Sequence, residues 1–63
     1  MTKLVRDKRT GDYYTEDKQY HIEKGSVGWN VNELDELFKL KHGIDVYRYS
    51  FTCETLKEVR ESL

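Results

Sequence analysis

The sequence predicts an α+β domain: a small antiparallel sheet of three or four strands, a central helix over about 31–42, and a short C-terminal helix. Three observations point there. Trp29 to Gly43 combines a start signal, a periodic apolar stripe and a stop signal for a helix. Gln19 to Lys24 and Ile44 to Thr52 carry strand patterns, and Thr55 to Leu63 repeats the capped amphipathic pattern over a shorter length.

Taken in order, Lys3 to Lys8 fits an edge strand, and Thr10-Gly11 reads as a turn feeding a second short strand at Asp12 to Thr15. Glu16 to Lys18 makes a polar turn into Gln19–Lys24. There Tyr20 and Ile22 point one way and His21 and Glu23 the other, the two-residue period of a half-buried strand. Gly25, Ser26 and Gly28 loosen the backbone ahead of the helix. In the helix, Asn30 as N-cap with Glu33 three residues on forms a capping box, with Asn32 as the competing cap, and Trp29 staples onto Leu34. Val31, Leu34, Leu37 and Phe38 form its apolar stripe, which places Leu37 in the core. Lys39, Lys41 and His42 suit the negative end of the helix, and Gly43 suits a left-handed C′ position. In the strand from Ile44, the alternation sets Ile44, Val46 and Arg48 on one face. Tyr47, Tyr49, Phe51 and Cys53 fall on the other as an aromatic row. Thr55 caps the last helix, with Glu58 at N3 and Leu56, Val59 and Leu63 as its seam.

Sixty-three residues make one small domain, 1–63. A domain of this size hides only about 60% of its unfolded surface and has little stability to spare. The 37% hydrophobic and 37% charged composition is that of a folded chain, and eight aromatics must supply much of its core. A formal net charge of −1 argues against a general polyanion binder. The charge is nevertheless segregated: Lys3, Arg6, Lys8 and Arg9 make the front basic, while residues 12–45 are acidic. Cys53 has no internal disulfide partner, and neither a membrane-length apolar run nor a leader pattern is visible. A reducing cytoplasm is the expected compartment, that of the host cell if a phage encodes the chain.

Chemistry-bearing patterns are few. Cys53 with His21 or His42 would be a nucleophile pair, but a single Cys at a strand end is ordinarily a small buried apolar group. His21 and His42 lack the spacing of a metal site, and Glu33 with Glu36 reads as a solvated helix face. No phosphate-cradling Gly loop, nucleophile elbow or zinc pattern is present. The expectation is therefore a binding module, with no enzyme activity, no cofactor and no metal.

Two resemblances give that expectation content. Lys18-Gln19-Tyr20, Lys24-Gly25, Asn32 to Asp35 with Leu37-Phe38, and the strand from Ile44 resemble the small dimeric phage-encoded inhibitors of uracil-DNA glycosylase. Those inhibitors mimic DNA and carry one helix ahead of the last strand of an antiparallel sheet. The resemblance covers roughly residues 18–52. It implies a host protein, a uracil-DNA glycosylase, as partner, with Leu34, Asp35 and Phe38 as contacts and Glu23 as a strand acid. It departs from the family at Leu34, where an aromatic belongs, and the last helix has no counterpart. Acids flanking an apolar cage would match the basic groove and probing loop of a base-flipping enzyme.

The rival is the arm-type DNA-binding domain of phage integrases, which Thr55-Leu56-Lys57-Glu58-Val59-Arg60 and a three-stranded sheet followed by a helix resemble. It implies phosphate contacts from Arg6, Lys8 and Arg9, and Arg48 on a sheet face. The near-neutral charge weighs against it. A structural or dimerisation module without further partner is the third reading. Helices can cover only one sheet face, so a homodimer through Tyr47, Tyr49 and Phe51 is expected.

Overall fold

In the computed structural model, which describes residues 2–63, five strands and two helices follow the order β1 (Leu4–Arg6), β2 (Tyr13–Thr15), β3 (Tyr20–Lys24), β4 (Trp29–Leu34), α1 (Glu36–His42), β5 (Tyr47–Cys53) and α2 (Leu56–Ser62). The α+β class is as expected. The sheet, however, has five strands in the order β1-β2-β3-β4-β5, each antiparallel to its neighbours.

The added strand comes out of the predicted helix. Residues 29–34 are extended, and α1 begins only at Glu36. The predicted capping box at Asn30 and Glu33 is overridden because β4 pairs along both edges, Ile22 to Val31 on one side and Val31 to Phe51 on the other. Two ladders of hydrogen bonds outweigh a local cap contributing about 1 kcal/mol. The N-cap is instead Asp35, whose carboxylate accepts the Phe38 N–H at 3.0 Å. At the other end Gly43 takes the left-handed C-cap (φ 68) and donates to Lys39 O, as its sequence position suggests.

The core lies on one face of the sheet under α2. Ile22, Val31, Cys53 and Val59 form its buried cluster, and Leu4, Tyr13, Tyr20, Trp29, Phe51, Leu56 and Leu63 pack around it. Tyr20 and Ile22 thus share the covered face, as the period of β3 indicates. α2 is capped by Thr55, whose hydroxyl accepts the Glu58 N–H, and it buries Val59 against the sheet. Leu37 is not in this core: it is 74% exposed, and α1 contains no buried residue.

A bulge divides the aromatic row of β5. Val31 pairs with Phe51 but Asn32 pairs with Tyr49, so Ser50 is an extra residue on β5. Alternation resumes one step out of phase, which leaves Phe51 and Cys53 on the α2 side and turns Tyr47 and Tyr49 to the opposite face. The single aromatic face expected for this strand is thereby corrected.

The β3–β4 hairpin depends on one glycine. Gly28 has φ +148, and a Cβ there would lie 2.3 Å from the Cys53 carbonyl oxygen. Only glycine lets this loop close against the end of β5.

Two stability predictions follow from this packing. Ile22→Ala removes a fully buried side chain and is expected to cost about 2–5 kcal/mol, whereas exposed Leu37→Ala should stay within about 0.5 kcal/mol of the parent in urea melts. Equal losses would show that α1 packs on the core. Gly28→Ala is expected to lower the urea midpoint clearly, and an unshifted midpoint would contradict the close approach to Cys53.

Candidate functional site

α2 leaves the opposite face of the sheet uncovered. A row of residues in register crosses it: Val5, Tyr14, His21, Asn32 and Tyr49, one from each strand. His21 is at its centre. The imidazole lies between the rings of Tyr14 (centroids 5.0 Å) and Tyr47 (5.7 Å), and its Nε2 is 2.9 Å from Asp12 Oδ2. Asn32 Nδ2 donates to His21 O at 3.2 Å and lies 3.4 Å from Nδ1. For a neutral ring these contacts suit the tautomer with Nδ1 accepting from Asn32 and Nε2–H donating to Asp12.

Glu23, two residues along β3, shares this face. One ligand atom from each of Asp12, His21 and Glu23 falls within 4.8 Å of the other two, and all three residues are half-buried. Tyr47 closes one side of the cluster, and its hydroxyl donates to Lys18 O at 2.8 Å. Burial, then Asp45 and Tyr14, raise its pKa, so the phenol stays a neutral donor. Farther along, Asn30, Thr52 and Tyr49 are linked through their side-chain oxygens.

The second surface surrounds α1. Leu37 and Leu40 (83% exposed) stand out from the helix, followed by exposed Ile44. Shallow grooves flank them. One is lined by Glu33, Leu34, Leu37, Arg48 and Tyr49, the other by Gln19, Leu34, Glu36, Leu40 and Gly43. α1 is held to the sheet mainly at its start, where Arg48 Nε contacts Asp35 Oδ2 at 2.6 Å and Asp35 N donates to Val46 O. The Arg48 hydrogen bond, then the Phe38 amide, hold the Asp35 carboxyl below the ordinary carboxylate range. Phe38 is half-buried and its ring meets that of His42 at 4.4 Å.

The residues singled out in the sequence are distributed as follows. Leu34 is buried (6% exposed), Asp35 is engaged as cap and ion pair, and Phe38 is half-buried against His42. Glu23 belongs to the open sheet face, apart from these three. Tyr47 is half-buried, Tyr49 exposed and Phe51 on the α2 side, so the three do not form one surface. Arg6, Lys8 and Arg9 cluster at the β1 edge, with Arg9 against Asp7. Arg48 is on the opposite edge strand and bound to Asp35, so the four basic residues do not converge. Asp12, Tyr14 and Asn32 carry no site signal in the sequence. The one available signal is that His21 and Glu23 alternate onto the same face of the strand at Gln19–Lys24.

No family model, curated protein or solved structure matches the chain. Among the described residues, no helix is long and apolar enough to cross a membrane.

The depressed Asp35 pKa has a sign. Its contribution to holding α1 is complete above the ordinary carboxylate value and is lost as pH falls through the lower folded value. The Phe38 amide proton resonance is therefore expected to titrate in acid, below the ordinary carboxylate range. In Asp35→Asn, which can still cap but cannot ionise, that titration should vanish. A titration persisting in the variant would assign it to another group.

Proposed function

We propose that this domain is a small protein-binding module that acts through α1, in the manner of an inhibitor that occupies its target's working surface. The observation that carries this reading is that α1 contributes nothing to the core while exposing Leu37 and Leu40, with Ile44 just beyond. A seven-residue helix is marginal on its own, and a chain short of apolar residues gains nothing for its own stability by exposing them. Such a patch is useful when a partner covers it. Its rim supplies direction: Glu33 and Glu36 line the grooves, with Arg48 and Lys39 already paired to Asp35 and Asp45. A target with a basic surface around an apolar projection is the complementary shape.

A helix placed just ahead of the last strand of an antiparallel sheet also supports the specific form of this reading, inhibition of a uracil-DNA glycosylase by DNA mimicry. The contacts would then be Leu37, Leu40 and the surrounding acids, with Asp35 and Leu34 behind them as supports. For the sheet-type DNA-binding alternative, the half-buried carboxylates Asp12 and Glu23 on the open face are unfavourable neighbours for phosphates.

The test is a double substitution, Leu37→Asp with Leu40→Asp, which should leave the urea midpoint nearly unchanged because both sites are exposed. Affinity capture from a bacterial lysate is expected to retain at least one protein with the parent chain and lose it with the variant. Identical captures would overturn the role of α1. Added to a purified uracil-DNA glycosylase, the parent chain should abolish uracil release near equimolar ratio and the variant should not. Undiminished release would reject that target.

A further inference from the structure

We infer that Asp12, His21 and Glu23 form a binding site for one first-row divalent transition ion on the open sheet face. Three features converge on it. First, the donor set is one imidazole nitrogen and two carboxylates, which suits ions such as Zn²⁺, Co²⁺ or Mn²⁺; Mg²⁺ and Ca²⁺ favour oxygen alone. Second, the geometry is close to what an ion requires. Metal–ligand bonds of about 2.1 Å allow donor atoms up to about 4.2 Å apart. His21 Nε2 and Asp12 Oδ2 are 2.9 Å apart, and all three donors fall within 4.8 Å, so a small rotation of Glu23 completes the set. Third, Asp12 lies one step beyond the registered pair Tyr13–Ile22 and so stands across from Glu23. Two facing carboxylates repel. Glu23 takes no hydrogen bond or ion pair among the described residues, and a dication between the two acids would remove the repulsion.

The surroundings fix the imidazole for this role. Tyr14 and Tyr47 hold the ring from two sides, and the three donors project from adjacent backbone segments of one sheet, so little ordering is needed. Three protein ligands leave at least one coordination position to water. Binding requires one rearrangement. An ion on Nε2 leaves the neutral ring's proton on Nδ1, and Asn32, whose Nδ2 also bonds His21 O, must then shift away from Nδ1. The site therefore has a spectroscopic signature, an exchange of imidazole tautomer, that adventitious binding to a surface carboxylate would lack.

The experiment is calorimetric titration of the full chain with Zn²⁺, and with Co²⁺ followed by its visible absorption. One ion per chain with saturation below about 1 mM is expected, with long-range ¹⁵N spectra showing the His21 proton move from Nε2 to Nδ1. Because His21 also packs between two tyrosines, Glu23→Gln is the deciding variant: it keeps the shape of a side chain that makes no other bond. It should weaken binding at least about tenfold without lowering the metal-free melting temperature, since it also removes the repulsion with Asp12. His42→Ala, which removes the only other imidazole, should bind as the parent does. Affinity unchanged in Glu23→Gln, affinity lost in His42→Ala, or no saturation below about 1 mM would each overturn the site.

Discussion

The structure depends on β4 being hydrogen-bonded along both edges. Trp29–Leu34 is the strand through which β1–β3 and β5 become one sheet, and Val31 at its middle is fully buried. Were these residues helical, β3 and β5 would each be left with an open edge whose N–H and C=O groups lacked partners, and the face that α2 covers would come apart. A chain this small has no second core on which to fall back. The local preference of Asn30 and Glu33 for a helix start is thus subordinate to the pairing of residues far away in sequence. α1 forms in what remains between the last paired residue of β4 and the return strand.

The extra residue at Ser50 gives the sheet its two different faces. Before the bulge β5 contributes Tyr47 and Tyr49 to the open side; after it, Phe51 and Cys53 go to the core. One inserted residue therefore lets a nearly uniform aromatic strand serve two environments. Tyr47 and Tyr49 both use their hydroxyls, to Lys18 O and Thr52, which an apolar core could not have satisfied so readily. The open face consequently needs no covering helix. It is held by hydrogen bonds and ring contacts around His21, with no unpaired buried side-chain polar atom among the described residues.

What the sequence makes legible follows the range of the interactions involved. β3, the end of α1 at Gly43 and all of α2 are set by signals within a few residues, and they are as read. The start of α1 is not, because Asn30, Asn32 and Asp35 are all residue types that cap helices and cross-strand pairing decides among them. The spacing of Val31, Leu34, Leu37 and Phe38 is helical on paper. In the fold, Val31 belongs to the α2-side cluster, Leu34 to the seam under α1, and Leu37 to solvent. The candidate metal cluster is legible only by half. His21 and Glu23 share a face by alternation, but Asp12 reaches them through the register of β2 on β3, which no local pattern encodes.

The two surfaces meet in adjacent residues of β5. Tyr47 flanks the His21 ring, and Arg48 holds Asp35, the residue that caps α1 and ties it to Val46. α1 is thus fastened at its first turn and free along the rest of its length, so a partner can pack against Leu37 and Leu40 without displacing any core side chain. The cost of such binding is confined to ordering a helix whose ends are already capped, a smaller entropic loss than folding a disordered segment. The bulge at Ser50 lies one residue beyond the Tyr47 and Arg48 pair, past Tyr49, where the β4–β5 register shifts.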